Sequence, residues 1–208
     1  MPLVRKPKAP TSNSTPEGVG ALTALTSTSP DERWAAARAA AGVAGGADAL
    51  ADALRTETDS RVREAIFTSL ARIGTSESAN KLLPLLRGDD AQLRTGALDA
   101  LRMMPAAVHE ILPALLQDRD QDVRILSCEL ARILPSDEAT KLLCTLLAGE
   151  QQINVCAAAI EVLTEVGNPA ALPFLAECGR RFQGAPFLEF AIRTAAERIT
   201  AQSAPSRG

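Results

Sequence analysis

Apolar residues recur along this chain in stripes of helical spacing. One stripe runs Val62, Ala65, Ile66, Ser69, Leu70 and Ile73, at offsets 0, 3, 4, 7, 8 and 11. That spacing marks one face of an amphipathic helix. The same phrase returns along the chain. It reads DERWAAARAA from Asp31, DSRVREAIFTSLARIG from Asp59, DAQLRTGALDALRMMP from Asp90 and DQDVRILSCELARILP from Asp120. Looser copies are QINVCAAAIEVLTEVG from Gln152 and PFLEFAIRTAAERI from Pro186. The apolar anchors Trp34, Val62, Leu93, Val123, Val155 and Phe187 stand 28, 31, 30, 32 and 32 residues apart.

Each copy carries helix boundaries. Asp31, Asp59, Asp90 and Asp120 stand three residues before the anchor, where a helix needs an acceptor for its free N–H groups. Gly74, Pro105, Pro135 and Gly167 stand twelve after it and end the helix. A shorter apolar segment precedes each copy: EGVGALTALT, GGADALADALR, ESANKLLPLLRG, AVHEILPALLQ, EATKLLCTLLAG and PAALPFLAECG. The unit is therefore helix, turn, helix, six times over. Pro84, Pro113 and Pro173 fall inside the first helices, and each either kinks its helix or marks a later start. One such hairpin cannot bury its own apolar face, whereas stacked hairpins share a continuous core. Trp34 is read as the bulky residue closing that core at the first hairpin. The fold class is all-α, an α-solenoid of about six hairpins in one domain over residues 16–201. Residues 1–15 form a disordered basic leader and residues 202–208 a disordered tail.

Composition agrees with this reading and narrows the function. Of 208 residues 38 are Ala, aromatics are 3% and Tyr is absent. Such a chain packs helices through small side chains and lacks the aromatic and β-branched stock of a sandwich. The leader holds Arg5, Lys6 and Lys8 and no acid, leaving 19 basic against 25 acidic residues elsewhere. A nucleic-acid protein needs a clustered basic surface or aromatic stacking platforms, and this chain has neither. No uninterrupted apolar run approaches a membrane span, and no apolar segment follows the leader's charges as a secretory signal requires. Cys128, Cys144, Cys156 and Cys178 show no metal spacing. They sit inside helical patterns as small buried hydrophobes and fit a reduced, cytoplasmic setting. His109 stands alone beside Glu110. No metal, cofactor or catalytic constellation is read from the sequence.

The phrase D-x-x-V-R-x-x-A-x-x-x-L-x-x-I-G, clearest from Asp59 to Gly74, resembles the HEAT repeat. The period near 30 is similar to the short bacterial form named after phycobilisome lyases. The resemblance implies a right-handed superhelix and a structural ladder in which Asp and Arg link adjacent repeats. That ladder falls on Asp59, Arg63, Asp90, Arg94, Asp120 and Arg124. The first hairpin departs with Ala35 at the arginine slot, the fifth with Cys156, and the sixth lacks both residues. The resemblance further implies a non-catalytic scaffold or adaptor in bacterial signalling or regulation, chemotaxis among the examples, that binds another protein along a concave surface of second helices. Some relatives are enzymes. A DNA glycosylase needs a basic, aromatic groove that is missing here, and a bilin lyase or isomerase remains the alternative.

The exposed face of the second helices supplies the candidate partner site. Offsets six and nine or ten give Arg72, Asp99, Arg102, Glu129, Arg132 and Glu161, with Thr68, Thr164 and Glu165 beside them. Two readings stand. Stacked hairpins bring these residues into two parallel rows, one acidic and one basic; either Asp99–Arg102 and Glu129–Arg132 are local i,i+3 pairs worth a few tenths of a kcal/mol each, or the rows bind a partner. Offset five is apolar at Phe67, Leu98, Cys128, Ile160 and Ile192, so either the core stripe is wide or an apolar band lines the groove.

Overall fold

The computed structural model describes residues 16–203. The expectations for residues 1–15 and 204–208 lie outside these, and the last helix runs to Ser203. Among the described residues every element is helical. The chain divides into two compact units at Ile73 and Gly74.

The first unit holds two hairpins, α1 (Pro16–Thr23) with α2 (Pro30–Ala40), and α3 (Gly46–Leu54) with α4 (Ser60–Ile73). The second holds four. These pair α5 (Ser76–Leu82) with α6 (Ala91–Arg102), α7 (Pro105–Leu115) with α8 (Gln121–Leu130), α9 (Ser136–Gly149) with α10 (Ile153–Val166), and α11 (Leu172–Arg181) with α12 (Pro186–Ser203). Within each unit the second helices pack side by side: α2 on α4, then α6 on α8, α8 on α10 and α10 on α12. First helices form the other layer, α5 on α7 and α9 on α11. This is the stacked-hairpin arrangement of an α-solenoid.

The core lies between the layers. Leu50, Ile66 and Leu70 are fully buried in the first unit, and Leu82, Leu101, Leu112, Leu130, Leu143, Ile160 and Leu163 in the second. Each such side chain stabilises the fold by about 1.5–3 kcal/mol. The offset-five residues Phe67, Leu98, Cys128 and Ile160 are buried, so the apolar stripe is wide and belongs to the core. All four cysteines are buried and free. Burial pushes the Cys128 thiol up to about 12 and Cys144 to about 11. A thiol held protonated is a poor nucleophile.

Two hairpins sit in a different register from the one the anchors suggest. In α2 the cap is Ser29, not Asp31: its hydroxyl accepts the Glu32 N–H, and Pro30 fills the first helical position. The anchor slot then falls on exposed Glu32. Trp34 does not close the core; it is half-buried, with the Arg38 guanidinium 4.8 Å from its ring centroid. In α12 the buried anchor is Leu188, and Phe187 is 53% exposed. Ile192 accordingly moves from offset five to offset four.

The prolines divide by position. Pro84 opens a 3-10 segment, Leu83–Arg87, after α5 has ended, and Pro173 sits in the first turn of α11. Pro113 lies inside α7. Gly167 must be glycine, because a Cβ there would meet the Leu163 carbonyl oxygen at 2.3 Å.

Candidate partner-binding face

The repeated aspartates act first on their own helices. Asp59 Oδ1 accepts the N–H groups of Arg61 and Val62 at 2.9 and 3.2 Å. Asp90 Oδ1 accepts those of Gln92 and Leu93 at 2.8 and 3.1 Å, and Asp120 Oδ1 that of Asp122 at 2.9 Å. Four residues after each cap stands an arginine that donates to the carbonyl six residues before it. Arg63 donates to Glu57 O at 2.7 Å, Arg94 to Gly88 O at 2.6 Å and Arg124 to Asp118 O at 2.7 Å. Arg33 does the same to Ser27 O at 2.9 Å, so Arg33 fills the first hairpin's slot that the sequence assigned to Ala35.

The links between hairpins join the slot arginines to carboxylates that periodicity did not single out. Arg33 pairs with both oxygens of Glu57 in the next hairpin, at 2.7 and 3.0 Å. Arg124 pairs in the same way with Glu150, at 2.7 and 3.1 Å. Each carboxylate stands two residues before the next cap and also accepts two backbone N–H groups there: Thr58 and Asp59 on Glu57, Gln151 and Gln152 on Glu150. The Arg33 hydrogen bond, aided by those N–H groups, holds the Glu57 carboxyl at about 2 despite its burial. Burial works to raise Glu150, but Arg124 and the Gln152 and Gln151 amides outweigh it and hold Glu150 below the ordinary carboxylate range. Asp118 occupies the same position, lowered first by the Asp120 N–H and then by Arg87. In the fifth hairpin Cys156 replaces the arginine. There Arg181, from α11, reaches Glu150 O at 2.5 Å and Leu147 O at 2.8 Å instead.

The face of the second helices carries a continuous run of opposite charges. Arg102 bridges Asp99 at 2.9 Å on α6 and Glu129 at 3.4 Å on α8. Arg132 donates to both oxygens of Glu129 at 3.0 and 3.3 Å, and pairs with Glu161 at 3.5 Å and with Glu165, both on α10. These hydrogen bonds, Glu129 first, raise the Arg132 guanidinium above its ordinary value against the pull of burial. Two separate rows were expected; the structure brings acids and bases into one chain across three hairpins. Arg72 is not in it: it lies in the first unit, where it donates to Arg38 O at 2.9 Å.

The acids dominate what this face presents. Side-chain exposure is 60% for Asp99, 69% for Glu161 and 48% for Glu165, against 36% for Arg102 and 21% for Arg132. An open groove of about 570 Å³ lies beside the Arg124–Glu150 link, lined also by Pro113, Leu116, Leu142 and Leu146. Among the described residues no group of three His, Cys, Asp or Glu side chains could hold a metal ion, and no helix is long and apolar enough to cross a membrane. His109 sits on the first-helix layer with Nδ1 2.5 Å from Glu138.

Solved structures of similar fold include an archaeal HEAT-like repeats protein from Thermococcus onnurineus NA1, at 16% identity over 87% of this chain and 86% of that one, TM-score 0.48. The CpcE–CpcF complex of phycocyanin lyase from Nostoc sp. PCC7120 aligns at 18% identity, covering 95% of this chain and 100% of that one, TM-score 0.39. A designed armadillo repeat protein in complex with peptide (KR)4 aligns at 17% identity, covering 88% and 99%, TM-score 0.42. A search of curated proteins found no match. The model for HEAT repeats matches residues 20–102 and 108–181, the stretches that hold the capped helices and the arginine slots described above. The chain belongs to the HEAT-repeat family.

Proposed function

We propose that this protein is a non-catalytic scaffold or adaptor that recognises another protein through the exposed face of α6, α8 and α10. The carrying observation is the charge chain from Asp99 to Glu165. Exposed ion pairs contribute about 0–1 kcal/mol each to stability, so folding alone does not require six aligned charges on three consecutive hairpins. Charges arranged in this way set partner choice and association rate more than fold stability. Arg72, in the other unit, is a second and separate candidate contact. Membership of the HEAT family supports a binding role over a catalytic one, as do the burial of all four thiols and the raised Cys128 and Cys144. A bacterial, cytoplasmic regulatory or signalling setting is part of the same reading, supported by the short repeat period and the free, buried cysteines.

The test is affinity capture with the wild type and with a protein carrying Asp99→Lys and Glu161→Lys. Both side chains are exposed, so the melting temperature should stay within a few degrees. Capture of the specific partner should fall about tenfold or more and regain nothing at moderate salt. Equal capture by both proteins would remove the face from consideration.

A further inference from the structure

The exposed large apolar side chains among the described residues are Met103, Phe174, Phe187 and Phe190. Two of them lie on α12, at 53% and 61% exposure for Phe187 and Phe190. The corrected register of α12 says where they point. With Leu188 as anchor, Phe187 and Phe190 take offsets minus one and two. On a helix of 3.6 residues per turn these lie on the same side as offset six. Offset six is the position of Asp99, Glu129 and Glu161. The aromatic pair therefore stands on the face that bears the charge chain, on the helix packed directly against α10.

Offset two is also apolar on the two preceding helices, as Ile125 on α8 and Ala157 on α10, both half-buried. An apolar row thus runs Ile125, Ala157, Phe190 beside an acidic row of Glu129 and Glu161. The electrostatics decide what fits. Four carboxylates share two guanidiniums along the chain, so two negative charges are uncompensated. Arg132 spends its donors on Glu129, Glu161 and Glu165. Asp99, Glu161 and Glu165 retain open acceptor positions and greater exposure than either arginine, while Glu129 is 26% exposed. Over α6, α8 and α10 the face accepts hydrogen bonds and positive charge, and α12 sets apolar surface beside them, with the Arg193 guanidinium 5.5 Å from the Phe190 ring centroid.

We propose that this face docks a basic segment of a partner protein that also carries bulky apolar side chains. The apolar side chains cover Phe187 and Phe190, and the lysines or arginines lie over Glu161, Glu165 and Asp99. An acidic segment would meet uncompensated like charge. A purely basic one would leave the two phenylalanines in water. The inference rests on the partner-face reading above and adds the chemistry of what binds there.

The experiment is fluorescence anisotropy on the full chain with three labelled synthetic peptides: alternating lysine and leucine, alternating glutamate and leucine, and alternating lysine and serine. The lysine–leucine peptide should bind at least about tenfold more tightly than either of the others. The paired substitution Phe187→Ser and Phe190→Ser, and separately Glu161→Lys, should each weaken it by about tenfold while circular dichroism and the melting curve stay unchanged. Equal binding of the glutamate–leucine peptide, or binding indifferent to both variants, overturns the proposal. So does a dimer in sedimentation that Phe187→Ser dissolves, which would assign the face to a second copy. If the lysine–leucine peptide fails while Asp99→Lys with Glu161→Lys still abolishes partner capture, the face reading stands and the basic–apolar chemistry falls. If both experiments show no effect, both fall.

Discussion

Removing Arg124 isolates the energetic worth of the link between hairpins. The Arg124 side chain is 13% exposed and that of Glu150 6%. Arg124→Met keeps much of the stem and removes the guanidinium. It loses two hydrogen bonds to Glu150 and one to Asp118 O. A carboxylate stripped of a buried partner costs about 3–5 kcal/mol in full burial. Glu150 keeps the Gln151 and Gln152 N–H groups, which hold its charge in place. That retained pair brings the expected loss down to about 2–3 kcal/mol, near the value of hydrogen bonds to charged groups. For a chain of this length the melting temperature should drop by roughly 4–12 °C, at about 2–4 °C per kcal/mol. Urea denaturation followed at 222 nm measures the loss directly. A cycle with Glu150→Gln and the double variant separates the pair from its surroundings. The double variant should be more stable than the sum of the singles implies, with a coupling of about 1–2 kcal/mol. Additive singles, or a loss below about 0.5 kcal/mol for Arg124→Met, within the ordinary range for a surface change, would refute the assignment of this link.

Other consequences follow from the same geometry. Arg94 holds the same slot as Arg124, and the bond it displays is to the Gly88 carbonyl; Arg94→Ala should cost less than Arg124→Met, about 1 kcal/mol in the same urea experiment. Glu57 has its folded pKa depressed from 4.5 to about 2. Its contribution is fully present above the unfolded value and is lost as pH falls through the folded one. Stability should therefore decline from about pH 5 toward pH 2, and Glu57→Gln should flatten that decline in acid titrations followed by circular dichroism. The four buried thiols should resist an alkylating reagent at neutral pH until urea unfolds the chain, whereas rapid native-state labelling would contradict their burial.

The parts of this fold that are local were legible in the sequence. A stripe such as Val62, Ile66 and Leu70 declares a helix and its buried side at once, because burial acts on every turn. The caps at Asp59, Asp90 and Asp120 act within three residues of themselves and could be placed without a neighbour. At the terminal hairpins the repeated phrase aligns on a large aromatic, Trp34 or Phe187, that is not the buried anchor. In α2 the better signal was Ser29 followed by Pro30, a cap and a first-turn proline, which also puts Arg33 in the arginine slot. In α12, Leu188 lay beside the larger Phe187. The carboxylates at Glu57 and Glu150 were missed since their partners stand 24 and 26 residues away. A hint was available: an acid two residues before the cap recurs at Glu57, Asp118 and Glu150. The charge face was partly visible as aligned offsets, but one connected chain depends on the spacing between helices. Which segment replaces the arginine at Cys156 could not be read locally either, because Arg181 arrives from the following hairpin.

The most direct measurement of the binding claim is site-specific photo-crosslinking in cells. A benzoylphenylalanine placed at position 99 or at position 161 sits on the proposed face, and one at exposed Glu110 or Lys141 sits on the first-helix layer. Positions 99 and 161 should each give the same discrete higher-mass adduct, and positions 110 and 141 none. Adducts formed only from positions 110 and 141 would move the binding site to the first helices and contradict the account.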